Sequence, residues 1–101
     1  MGINIRLQDE RGRKLDEILD PSNLLCALLP WDDPSFACLR FVDPYGDTTF
    51  NAAQSEVLVA ELARIRAKAS QHAELELLDG IQRLVQLCLA APHRYVKFIG
   101  D

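Results

Sequence analysis

A chain of 101 residues, 49% apolar and 26% charged, suffices for one domain spanning 1–101, and about 65% burial of its unfolded surface removes the need for a metal or disulfide scaffold. The net charge of −4 lies wholly in residues 1–50, where Asp9, Glu10, Asp16, Glu17, Asp20, Asp32, Asp33, Asp43 and Asp47 outnumber Arg6, Arg11, Arg13, Lys14 and Arg40. That imbalance repels a phosphate backbone, and with no basic stripe interleaved with aromatics it argues against nucleic acid as a partner.

Ile3, Ile5 and Leu7 alternate with Asn4, Arg6 and Gln8, the period of a strand with one buried face. Asp9-Glu10-Arg11-Gly12 supplies a turn with a glycine free to take positive φ, and the stretch through Leu15 and Ile18 pairs back as a second strand. Asp20-Pro21 then reads as a helix start, with the carboxylate capping free amides and proline at the first helical position. The short helix from Pro21 to Leu29 carries Leu24, Leu25, Leu28 and Leu29 on one stripe and stops at Pro30.

Trp31-Asp32-Asp33-Pro34 is a loop, and Phe36 to Val42, apolar on both alternating faces apart from Arg40, reads as a strand. Asp43-Pro44-Tyr45-Gly46 has the residues of a tight turn. Asn51 with Gln54 three residues on forms a capping-box variant opening a long helix from Ala52 to about Ser70, with Glu61 spaced to pair with Arg64. A second long helix, from about Ala73 to Ala91, turns Leu77, Leu78, Ile81, Leu84, Val85 and Cys88 inward and ends at Pro92. Gly80 marks either close packing against the first long helix or a tolerated cost. Tyr95 to Ile99, rich in strand formers, returns beside the first strand.

The expected fold class is therefore α+β: a small antiparallel sheet of about three strands packed against two long antiparallel helices, plus one short helix. The chain has neither a basic segment followed by an apolar one at its start nor an apolar run near the roughly 18 residues of a membrane span, which predicts a cytoplasmic protein. Cys26, Cys38 and Cys88 are odd in number and widely spaced, so they are expected to be reduced and buried, and no close ligand pair with His72 or His93 nucleates a metal site.

Catalytic signatures are missing too. His72 and His93 lack a nucleophile motif, the glycines are isolated, and a calcium loop counted from Asp43 fails at Tyr45 and Gln54. No catalytic, cofactor-binding or metal residue is assigned, and no cofactor is expected. Five of the seven aromatics fall between Trp31 and Phe50 among four aspartates, where large rigid contact area and negative charge coincide. Trp31, Asp32, Asp33, Tyr45 and Asp47 are accordingly the candidate partner-binding residues.

Asp43-Pro44-Tyr45-Gly46-Asp47-Thr48-Thr49-Phe50-Asn51, followed by helices and a closing Tyr95-Val96-Lys97-Phe98-Ile99-Gly100-Asp101, resembles a group of small bacterial single-domain proteins without known activity. The resemblance covers most of the chain and implies a bacterial cytoplasmic context, with no activity, cofactor or catalytic residue to carry over. Acidity, size and missing catalysis together favour an acidic module that binds a basic protein, an immunity protein that neutralises a toxin being its most concrete form. Two alternatives stand beside it: a small enzyme with a site formed by Asp43, Tyr45, Asp47, His93 and Arg94, and a structural homo-oligomer.

Overall fold

Residues 2–100 are described by a computed structural model of the chain; Met1 and Asp101, the last residue of the C-terminal motif, lie outside it. The alternation at the start of the chain becomes strand β1 (Asn4–Asp9), and the turn after it uses Gly12 at φ +80, with Asp9 Oδ1 accepting from the amides of Arg11 and Arg13. Strand β2 (Lys14–Ile18) follows, then the short helix α1 (Leu24–Leu28), strand β3 (Asp47–Phe50), helices α2 (Ala52–Lys68) and α3 (His72–Leu89), and strand β4 (Arg94–Ile99).

The fold class is α+β, but the sheet has four antiparallel strands in the order β2-β1-β4-β3 rather than about three. β3 was missed because its pairing with β4 is remote in sequence and its Asp-Thr-Thr carries turn-like residues. Thr48 and Phe50 face the core, and the Phe50 ring packs edge-on against Phe98 at 5.7 Å.

Conversely, Phe36 to Val42 forms no strand. It bends into a 3₁₀ turn at Leu39–Phe41 because the Glu61 carboxylate collects the amides of Ala37, Cys38 and Leu39, the shortest at 2.6 Å. The alternation misled because Phe36, Cys38, Leu39 and Val42 are buried by this fold-back, leaving Phe41 61% exposed. Glu61 therefore does not pair with Arg64; it points inward beside Leu58, Leu62 and Ile65 on the apolar side of α2.

Asp20 caps α1, but from a distance. Pro21 and Ser22 form a turn, Asn23 takes a left-handed φ of 54°, and the helix begins at Leu24, with the buried carboxylate accepting from the amides of Leu24 and Leu25. Asn51 and Gln54 make the reciprocal cap expected of them at 2.9 Å each. The three residues between α2 and α3 reverse the chain, and cross-links joining Arg66 to Asp79, Val59 to Gln82 and Ser55 to Cys88 run in opposite order along the two helices. The helix pair covers one face of the sheet, and Gly80 packs against Ile18 of β2, 3.2 Å from its Cδ1 to the place of a Cβ, rather than against α2. Cys38 and Cys88 are buried, but Cys26 is only half-buried, because it lines a surface recess with Pro44 and Tyr45.

Candidate functional site

Pro30 ends α1, and the chain turns sharply so that the Trp31 indole Nε1 reaches back to donate to the carbonyl of Cys26 at 2.9 Å. This bond stands the half-buried indole beside the helix it leaves. With Leu28, Pro30, Phe36 and Ile65 it forms the apolar wall of a groove of about 340 Å³, whose rim carries Asp32 and Asp33 together with Lys68. Sequence reasoning missed Leu28, Pro30, Phe36, Ile65 and Lys68, because Ile65 and Lys68 arrive from the far end of α2.

The two rim aspartates differ in what they are free to do. Asp33 Oδ1 accepts from the amide of Ser35 at 2.9 Å and from its hydroxyl at 2.7 Å, and that hydroxyl accepts from Arg64 at 2.8 Å. These bonds, led by the hydroxyl and aided by the nearby charges of Arg64 and Lys68, hold the Asp33 carboxyl below its usual value. Arg64 is itself fixed, with its guanidinium 3.8 Å from the centre of the Phe36 ring and a second bond to the Ser35 carbonyl. Asp33 is thus committed to its own loop. Asp32 is exposed and makes no ion pair among the described residues, and neither does Lys68.

The remaining candidates lie elsewhere. Tyr45 is 78% exposed in the turn where Asp43 Oδ1 accepts its amide, and it lines a smaller recess of about 130 Å³ with Gly2, Asn23, Cys26 and Pro44. Asp47 stands on β3 and pairs with Lys97 of the neighbouring strand at 3.3 Å. The structure therefore brings Trp31, Asp32 and Asp33 into one groove, with Tyr45 around Cys26 from it and Asp47 on the sheet.

Asp43, Tyr45, Asp47, His93 and Arg94 do not assemble into the single site that the enzyme alternative needs. Asp47 is opposite Ile99 at one end of β4, whereas Arg94 begins the other end, opposite Asp9, and donates to the Leu87 carbonyl. At about 3.3 Å per residue that separation is on the order of 16 Å. His93, at φ 60, faces Glu10 at 3.4 Å.

Among the described residues no group of three His, Cys, Asp or Glu side chains is placed to hold a metal ion, and no helix is long and apolar enough to cross a membrane. The Cys38 thiol is pushed up by burial and by the Glu61 charge, which keeps it protonated and unreactive. No family model, curated protein or solved structure matches the chain, so its function is read from its own residues.

Proposed function

We propose that this is a protein-binding module that seats an apolar side chain of a basic partner in the groove beside Trp31. The observation that carries this reading is the pairing of an apolar wall with an uncommitted carboxylate at its rim: the wall desolvates an anchor, and Asp32 orients the cation next to it. The net charge of −4 supports a basic partner through long-range attraction. An immunity-type protein that neutralises a basic toxin in a bacterial cytoplasm is the most concrete form of this reading.

The division of the five enzyme candidates between two ends of β4 makes binding the better supported reading. A photo-crosslinking residue at exposed Pro34, beside the groove, compared with one at Val57 on α2, tests it in the source cell. A basic protein captured through position 34 and not through position 57 is the expected result. Equal capture at both positions, or turnover of a metabolite by the purified protein, would count against it.

A further inference from the structure

The two edges of the sheet are treated differently, and the hydrogen-bond phase of the ladder shows how. Gly100 donates to the Gly46 carbonyl at 2.7 Å, just beyond the register in which Thr48 faces Phe98 and Phe50 faces Val96. Bonded and non-bonded pairs alternate in an antiparallel ladder, so Gly46, Thr48 and Phe50 direct their backbone groups at β4. Asp47 and Thr49 direct theirs outward, away from the sheet.

Among the described residues nothing else bonds to those outward groups. The edge ends at Asn51, whose amide is taken by Gln54 Oε1 and whose carbonyl receives Ser55. The opposite edge is guarded. The outward amide of Glu17 on β2 is occupied by Asp16 Oδ1 at 2.8 Å, Asp16 is held by Arg83 at 3.0 Å, and the register slips at Leu7/Gln8. Occupied amides and irregularities are how edges avoid pairing, and β3 has neither, its one charge, Asp47, being directed to Lys97 rather than onto its own outward amides.

We propose that β3 is a docking edge for a second copy of this chain, paired antiparallel about a two-fold axis at Thr48 perpendicular to the sheet. In that register Asp47 of each copy faces Thr49 of the other, and each pair exchanges both backbone bonds. It is the one two-fold register that uses all the outward groups, since centring on Thr49 would face Asp47 with the already occupied Asn51. Self-complementarity is what selects a second copy as the occupant: a threonine hydroxyl is brought directly opposite a carboxylate, and the two Asp47 carboxylates, diagonal across the axis, are each paired with the Lys97 of their own copy. The same axis sets exposed Tyr45 of one copy opposite Asn51 of the other and keeps both helix pairs on one face of a continuous sheet. With so short an edge the association is weak and concentration-dependent.

Sedimentation equilibrium and amide exchange by NMR, on the full chain from micromolar to millimolar concentration, test this. The expected result is reversible dimerisation accompanied by slowing of the Asp47 and Thr49 amides as concentration rises. Thr49→Pro removes a donor that points away from β4, so the monomer keeps its ladder while dimerisation weakens by about tenfold or more; Thr49→Val retains it. A wild-type chain that stays monomeric with concentration-independent exchange, or a folded Thr49→Pro chain that dimerises as wild type does, would overturn the proposal. So would protection of these amides by a different protein and not by more of this one.

Discussion

The segment from Asp20 to Gly46 and the sheet with its two long helices share one apolar core but satisfy their backbone amides in different ways. The regular part rests on apolar stripes: Ile5 and Leu7 of β1, with Ile3 just before it, meet Leu78, Ile81, Leu84 and Val85 on α3, all essentially inaccessible to water. The irregular segment buries Leu25, Leu39 and Val42 in the same core, but its backbone lacks ladder partners and depends on two buried carboxylates to satisfy its amides. Asp20, 2% exposed, holds the start of α1, and Glu61, 4% exposed, holds the 3₁₀ turn. An acid is therefore structural where amides surround it and available for recognition where, as at Asp32, none do.

Removing Glu61 should break this contrast most severely, because its loss strands a cluster of amides in a dry environment. Glu61→Ala is expected to cost about 3 kcal/mol in denaturant unfolding, with Glu61→Gln intermediate because an amide oxygen still accepts. Amide exchange at Ala37 to Leu39 should quicken before that of α3. Asp20→Ala comes next at about 2 kcal/mol, since one side chain serves two helix amides. Asn51→Ala, in the regular part, should cost only about 1 kcal/mol, because its cap is exposed and water replaces it. An Asn51 effect equal to that of Glu61 would erase the distinction between the two regions.

Acidification gives a smaller, more diffuse effect. Asp16 is held below its ordinary value near 3.8 chiefly by the Arg83 bond, then by the Glu17 amide, and Asp79 is held below it chiefly by Arg66. A depressed folded value means that each contribution is complete above the unfolded value and disappears as pH falls through the folded one. Stability should therefore decline below about pH 4, and Arg83→Ala should flatten that decline by the part of Asp16's share that the Arg83 bond supplies, leaving the part due to the Glu17 amide. An unchanged acid limb in Arg83→Ala would remove Asp16 from this account.

The same division decides what was legible in the sequence. Stripes at helical spacing placed α2 and α3 to within a few residues, alternation placed β1, and the Asn51 and Gln54 pair placed a helix end, because each is a local pattern with a local cause. The 3₁₀ turn was not legible, because the carboxylate that bends residues 37–39 sits more than twenty positions away on α2. A charged residue three positions after Leu58 and one before Leu62 was the available sign that Glu61 faces inward. The groove was half legible: Trp31, Asp32 and Asp33 are contiguous, but no local pattern announces that Ile65 and Lys68 close it.

The claim that the Trp31 groove receives a basic partner is tested most directly by the association kinetics of Asp32→Lys with the protein captured through position 34. Asp32 is exposed and unpaired among the described residues, so the variant should fold with unchanged stability. The account predicts slower association, with much of its salt dependence lost and with Asp33→Asn having less effect because Asp33 is already bound to Ser35. A folded Asp32→Lys chain that associates as fast as wild type, with the same dependence on salt, would contradict it.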